Sequence, residues 1–92
     1  MDELRSQIDD IDWQILALIG RRMRIVSEIA AVKAKNGNPI RDMDREKEIL
    51  DRVTAQALRI GVSPDTAEKI FQIIIDDAVQ MQILQQKTAI AR

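Results

Sequence analysis

Apolar residues recur at alternating steps of four and three over the first third of the sequence. They are Leu4, Ile8, Ile11, Ile15, Leu18, Ile25, Ile29 and Val32. This spacing is that of a coiled-coil-like seam, and it predicts one long helix from about residue 3 to about residue 35. Asn36 and Gly37 then end the helix, and Pro39 prevents its continuation.

The predicted length of this helix exceeds the size of a compact chain. At about 1.5 Å per residue, about 33 helical residues span roughly 50 Å. The sequence has 92 residues, and a compact domain of that size has a radius of gyration of about 12 Å. One chain therefore leaves part of the seam uncovered, and the simplest cover is a second copy in an antiparallel or interlocked homodimer. The alternative is a helix that kinks near Gly20 and folds back.

Two shorter helices are predicted after the long one. Asp42 is a favourable N-cap for a second helix that continues to about Arg59, with Gly61 as its stop signal. Ser63 is an N-cap followed by Pro64 at the first helical position, so a third helix should run from about residue 64 to the high 80s. We therefore expect an all-α fold with three helices per chain.

The composition fits one small domain that spans residues 1–92. With 14 basic and 15 acidic residues, the net charge is −1. Such a balance lacks the electrostatic footprint of a protein that binds nucleic acid or an anionic membrane, so we expect neither partner.

Cysteine and histidine are both absent from the sequence. Their absence excludes a disulfide framework and thiol chemistry, and it largely removes metal sites and the usual general base at neutral pH. The N-terminal residues MDELRSQIDD are acidic, whereas a signal peptide needs a basic start and an apolar run. We interpret the protein as cytoplasmic, although a piece of a longer chain would look the same.

Each predicted helix places a polar group where the apolar pattern predicts core. Arg22 fills a seam position of the first helix, and Lys33 lies eleven residues further on nearly the same face. Glu46 shares the apolar face of the second helix, and Gln82 continues the apolar stripe of the third. Because an unpaired buried charge costs several kcal/mol, these groups should pair with one another or face something other than protein.

Each of these residues also has an ordinary explanation when it is taken alone. A cation near a seam often extends to solvent or pairs with a carboxylate, Glu46 is a first-turn acid favoured by the helix dipole, and Gln82 could specify register. Arg41 and Arg45 are interpreted on general grounds as solvated charges. Taken together, however, cations outnumber acids at the interior positions, which predicts a pocket between helices for a small anionic ligand.

The missing residue types also limit what such a pocket could catalyse. Without histidine, cysteine or a serine-centred nucleophile motif, covalent and conventional acid–base catalysis are poorly supported. Positioning and fixed charge remain. They are sufficient for a unimolecular rearrangement whose developing negative charge needs hydrogen-bond donors.

Four stretches of the sequence together resemble the all-helical class of chorismate mutases, over essentially the full chain. They are LRSQIDDID, GRRMRIVSEIAAVKAK, PIRDMDREKEIL and FQIIIDDAVQMQ. The resemblance implies an intertwined helical-bundle homodimer with two active sites. It also implies a Claisen rearrangement of chorismate to prephenate, without metal or cofactor, in the biosynthesis of phenylalanine and tyrosine.

The resemblance also implies roles for individual residues. Arg22 corresponds to the arginine that binds a substrate carboxylate from the same subunit, and Arg5 to the arginine that the partner subunit supplies. Lys33 corresponds to the lysine that contacts a carboxylate and the ether oxygen whose bond breaks. Gln82 corresponds to the second donor to that oxygen, so Arg22, Lys33 and Gln82 are the expected catalytic residues.

The start of the second helix is implied to form one wall of the pocket. Asp42 and Glu46 correspond to positions around the substrate hydroxyl, Asp42 through its backbone and Glu46 as the acceptor of the hydroxyl proton. Arg45 corresponds to a supporting cation. Ala78 departs from the family pattern, because many members carry a side chain there that can hydrogen-bond a substrate carboxylate.

Two other functions remain open at this point. An isochorismate pyruvate lyase shares the helical scaffold and the cationic pocket, although Glu46 favours the mutase because a hydroxyl acceptor belongs to that chemistry. The other alternative is a non-catalytic helical dimerisation module, in which Arg22 and Glu46 would form salt bridges between chains.

Overall fold

The structure is a computed structural model that describes residues 1–91, with side chains through residue 88. These described residues form three α-helices: α1 is Asp2–Asn36, α2 is Met43–Ile60 and α3 is Pro64–Ala91. The predicted all-α fold is confirmed, and so is the order of one long helix followed by two shorter ones. α1 is continuous through Gly20, so the alternative of a helix that folds back there is wrong.

Local capping explains where α1 and α2 begin and end. Gly37 ends α1 in the left-handed conformation, with φ of 72°. Asp42 precedes α2 in an extended conformation, and its Oδ1 accepts a hydrogen bond from the backbone N–H of Arg45 at 3.0 Å. Gly61 ends α2 with φ of 78°.

The start of α3 has the predicted proline cap. Ser63 Oγ accepts a hydrogen bond from the backbone N–H of Thr66 at 3.3 Å, and Pro64 is the first helical residue. Its missing N–H is no loss at this position, because the first N–H groups of a helix have no partner within it.

α2 and α3 form an antiparallel pair around a narrow core. The early residue Ile49 of α2 lies near Ile75 and Val79, which are late in α3. The late residue Ala57 lies near the early Ala67. All five side chains are buried, so the interface between α2 and α3 is the main apolar contact of the chain.

Among the described residues, only the second half of α1 packs against the rest of the chain. Ser27 Oγ donates to Gln85 Oε1 at 2.9 Å, and Gln85 Nε2 donates to the Ser27 carbonyl at 3.2 Å, which joins α1 to α3. Ala30 is the one buried residue of α1. Every residue from Met1 to Leu18 is exposed, so the apolar seam of this half is uncovered within the chain.

The overall dimensions also show that the chain is less compact than a globular chain of this length. The radius of gyration is 16.3 Å and the principal extents are 52 × 28 × 15 Å, whereas a compact chain of this length has a radius of gyration of about 12 Å. The accessible surface is 7443 Å², about 2,000 Å² more than the roughly 5,400 Å² of a compact monomer of this mass. The exposed apolar seam of α1 contributes to this excess.

None of the helices in the described part of the chain has the length and apolar character needed to cross a membrane.

Gly61→Ala should lower the free energy of unfolding by about 1 kcal/mol. A Cβ at this position meets no atom within 4 Å, so the cost is that of holding alanine at positive φ. Urea unfolding at one fixed protein concentration measures it.

Gly20→Ala is the matched control for Gly61→Ala. Gly20 lies inside α1, and its Cβ would be in ordinary contact, 3.8 Å, with Arg24 Nη1. Alanine is favoured over glycine within a helix by up to about 1 kcal/mol, so this variant should be as stable as the parent or more stable. Equal losses in the two variants would contradict the assigned role of the left-handed cap.

Candidate functional site

A cavity of about 240 Å³ lies where the second half of α1 meets the start of α2 and the middle of α3. Its apolar wall includes Ile29, Ile49 and Ile75. Its polar lining consists of Arg22, Lys33, Asp42, Arg45, Glu46 and Gln82. The helices thus bring together residues that lie up to sixty positions apart in the sequence, from 22 to 82.

Seven of the eight site residues expected from the sequence line this cavity, since Ala78 is also part of its wall. Arg5 is the exception. It lies in the exposed first half of α1, seventeen residues before Arg22, which corresponds to roughly 26 Å along the helix. Arg5 therefore does not reach the cavity of its own chain.

Arg22 lies in the cavity in surroundings that disfavour its positive charge. Burial lowers the pKa of the Arg22 guanidinium below its ordinary value, and the nearby positive charge of Arg45 lowers it further. Its Nη1 is buried and has no hydrogen-bond partner among the described residues. An anion next to Arg22 would relieve both the burial cost and the repulsion.

Lys33 lies in the cavity wall about 16 Å further along α1 than Arg22, and the loop between α1 and α2 holds its side chain. Its Nζ donates to the carbonyl of Ile40 at 2.8 Å. An ammonium carries three N–H donors, so one hydrogen bond to the loop fixes the position of Nζ and leaves two donors for a ligand.

Glu46 is a buried carboxylate at the first turn of α2. Its Oε1 accepts a hydrogen bond from Arg41 Nη2 at 2.8 Å. Its Oε2 is buried and has no partner among the described residues. One oxygen is therefore fixed and the other remains an acceptor.

Asp42 and Arg45 line the cavity and also make contacts with other residues of the chain. The Asp42 carboxylate caps α2 through the backbone N–H of Arg45. The Arg45 guanidinium forms an exposed ion pair with Glu48. The guanidinium is exposed in this ion pair, as the interpretation of Arg45 as a solvated charge predicts. The residue also lines the cavity.

Gln82 is buried, and its amide nitrogen forms a hydrogen bond within its own helix. Nε2 donates to the carbonyl of Ala78 at 3.2 Å, whereas Oε1 is buried without a partner among the described residues. Because the amide group carries two hydrogens, one donor remains. Rotation about the last side-chain torsion would exchange the oxygen and the nitrogen, which makes Gln82 adaptable as donor or acceptor.

Arg41 belongs beside this site. Its interpretation as a solvated charge agrees with its exposure, but the sequence did not indicate its contact with Glu46. Its side chain is 45% exposed, but its Nη2 contacts both Glu46 Oε1 and, at 3.3 Å, Asp76 Oδ1. The hydrogen bond that Arg41 donates to Glu46, and next the negative charge of Glu46, raise the pKa of Arg41 above its ordinary value. Arg41 lies in a loop, where helical periodicity carries no information about which way a side chain turns.

A larger cavity, of about 420 Å³, lies at the other end of the α2–α3 pair. Its walls include the apolar residues Val53, Ala57, Ile60 and Phe71, and Arg52 is its one charged lining residue. It lacks the set of convergent polar groups that would orient a small ligand. The smaller cavity is therefore the better candidate site.

Comparison with known proteins connects this geometry to one family. The sequence model of the family described as chorismate mutase type II matches residues 4–83. A chorismate mutase of Methanocaldococcus jannaschii is 40% identical over 86 residues, which cover 91% of this chain and 87% of that protein.

Two longer relatives match the chain over most of its length. The bifunctional chorismate mutase/prephenate dehydratases of Buchnera aphidicola and Escherichia coli are 37% and 33% identical over 78 and 85 residues, which cover 85% and 90% of this chain. The chain spans only 20% and 22% of the lengths of those two proteins. The match over residues 4–83 and the archaeal relative of similar length show that the chain belongs to the type II chorismate mutase family.

Proposed function

We propose that the chain is a chorismate mutase that rearranges chorismate to prephenate in the cavity between its three helices, as part of phenylalanine and tyrosine biosynthesis in the cytoplasm. One observation carries this proposal. Three buried polar atoms without partners among the described residues belong to one cavity and come from three different helices: Arg22 Nη1, Glu46 Oε2 and Gln82 Oε1. Unsatisfied buried groups are costly, and their convergence is typical of a site for a polar ligand.

The substrate has the functional groups that this cavity can recognise. Chorismate carries two carboxylates, a hydroxyl and an ether oxygen. The cations Arg22 and Lys33 suit the carboxylates, and Arg45 adds positive charge nearby. Glu46 Oε2 suits the hydroxyl as its acceptor, with Asp42 beside it at the start of α2.

The rearrangement needs no proton transfer and no covalent intermediate. As the ether C–O bond breaks, a C–C bond forms within the same molecule, and the electrons move in one cycle. Negative charge grows on the ether oxygen in the transition state. Lys33 and the amide of Gln82 are the proposed donors to that oxygen, so they would act by positioning and by electrostatic stabilisation.

Ala78 contributes a buried wall without a side-chain hydrogen-bonding group. Its carbonyl accepts from Gln82 Nε2, so it helps to orient that amide. We propose that substrate carboxylate binding here relies on the cations, with a modest effect on affinity and no change of reaction.

We further propose that the active unit is a homodimer in which Arg5 enters the site of the partner subunit. The first half of α1 exposes Leu4, Ile8, Ile11, Ile15 and Leu18, each by 49% or more. The excess surface of about 2,000 Å² per chain falls in the range that obligate dimers bury. Because Arg5 lies roughly 26 Å along α1 from Arg22, a second copy is the simplest way to bring it to a cavity.

Lys33→Ala and Gln82→Ala should each lower turnover of chorismate by about a hundredfold or more, because each removes a donor directed at developing charge. The measurement is consumption of chorismate by the purified protein, followed by ultraviolet absorbance with the product identified. Lys35→Ala and Gln80→Ala are matched controls, since both residues are exposed neighbours on the same helices.

Near-normal rates in both site variants would refute the proposed roles. Isochorismate is assayed beside chorismate. Turnover of isochorismate alone, with release of pyruvate, would assign the lyase reaction, and a folded protein without either activity would favour the dimerisation module.

Arg22→Met should abolish turnover while the free energy of unfolding stays the same or rises. The variant removes a buried guanidinium whose Nη1 has no partner among the described residues, and an apolar side chain of similar length suits that environment. Activity and urea unfolding are measured together, with the exposed neighbour Arg21→Met as control. Full activity in Arg22→Met would be incompatible with a carboxylate-binding role.

Arg5→Ala and Lys33→Ala, each inactive alone, should recover activity when they are mixed under conditions that allow subunit exchange. A hybrid dimer has one site with both residues intact, so an equal mixture should reach about a quarter of wild-type activity. Exchange is verified with tagged subunits. A mixture that exchanges but stays inactive would rule out a site shared between subunits.

A further inference from the structure

We infer that Arg41 is a positioning residue for the proposed reaction: it holds Oε1 of Glu46 from outside the cavity and thereby leaves Oε2 to accept the substrate hydroxyl. This inference rests on the proposed function. It adds a residue that does not line the cavity and that acts on the substrate only through Glu46.

The contact between Arg41 and Glu46 is selective. Among the described side chains, Arg41 is the only cation within 4.0 Å of a Glu46 carboxylate oxygen, at 2.8 Å. Arg22, Lys33 and Arg45 line the same cavity as Glu46, yet none of them pairs with it. The charge of Glu46 is therefore balanced by a guanidinium that does not belong to the lining of this cavity.

Arg41 is itself anchored on a second helix. Its Nη2 lies 3.3 Å from Asp76 Oδ1. The same Asp76 oxygen accepts from Gln72 Nε2 at 3.0 Å. The loop before α2, the first turn of α2 and the middle of α3 are thus joined through one guanidinium, which fixes the direction from which Glu46 is held.

Two physical consequences follow for Glu46. The hydrogen bond that Arg41 donates to Oε1 fixes the orientation of the carboxylate, so Oε2 is the oxygen left to accept from the substrate hydroxyl. Without Arg41, the carboxylate would also be free to turn towards Arg22 or Arg45 and to neutralise the cations proposed to bind the substrate carboxylates.

A double-mutant cycle on kcat/KM for chorismate tests this inference with the full chain. Arg41→Met should lower kcat/KM by about tenfold to a hundredfold, the size of coupling found between residues in direct contact. In the Glu46→Gln background the same change should cost less than about twofold, because the group through which Arg41 acts is already lost.

Two further variants separate positioning from a general effect on the fold. Arg41→Lys keeps the charge and should recover at least about threefold over Arg41→Met, since an ammonium can still pair with Oε1. Lys47→Met is the matched control: it removes the cation of an exposed ion pair with Asp51 on α2, and kcat/KM should stay within about twofold. Urea unfolding is recorded for every variant, and Arg41→Gln takes the place of Arg41→Met in the cycle if the latter does not fold.

The outcomes are distinct. Losses for Arg41→Met and Glu46→Gln that multiply in the double variant, or an Arg41→Met variant with wild-type kcat/KM, would overturn the positioning role while the mutase assignment stands. A wild-type chain that does not convert chorismate would overturn the proposed function and this inference with it. Strong coupling together with rescue by lysine supports the inference.

Discussion

The length of α1 is the constraint on which the rest of the structure depends. A helix of 35 residues is a rigid rod, and α3 packs only along its second half, where Ser27 and Gln85 join the two helices. The site forms in that covered half, where α1 also meets the start of α2. The other half carries an apolar seam and Arg5, which its own chain cannot use. One helix therefore contributes to the site within its chain and presents a surface suited to a second copy.

The charges of the cavity are arranged so that two of its cations, Arg22 and Lys33, have no carboxylate partner among the described residues. Of its two carboxylates, Asp42 is committed to the cap of α2 and Glu46 is paired with Arg41. Neither pairs with Arg22, whose pKa is lowered by burial and by Arg45. A cation that is partly desolvated and lacks a counter-ion binds an anion more strongly than a solvated one, because less water must be removed when the pair forms. This arrangement suits a substrate with two carboxylates.

Much of the fold could be predicted because the relevant signals are local. The steps of four and three marked α1, and Asp42, Gly61 and Ser63 marked the ends of helices through preferences that depend on single residues. Glu46 and Gln82 were found because each breaks an apolar pattern at a helical position, and a polar group in such a pattern needs a reason. These signals concern the face of a helix, which the sequence records directly.

The unpredicted parts depend on contacts between elements. Arg41 precedes α2 in a loop, so no periodicity shows that it turns inwards to Glu46 and reaches Asp76 on α3. The hydrogen bond of Gln82 to Ala78 is a choice of side-chain torsion that the sequence does not encode. Arg45 faces both the cavity and Glu48, and a long flexible side chain of this kind has no single direction that helical spacing could fix.

The proposed second copy would serve both the stability of the chain and the proposed catalysis. The buried apolar core of the described chain consists of Ile49, Ile75, Val79 and four alanines, which is a small core for a chain that exposes 7443 Å². The proposed electrostatic stabilisation of the ether oxygen would also be weaker in contact with bulk water, because the interaction energy between two charges falls as the dielectric constant rises. A partner helix laid along the uncovered seam would bury apolar surface, exclude water near the cavity and deliver Arg5. In the proposed dimer, the surface that makes the single chain incomplete is therefore the same surface that completes the site.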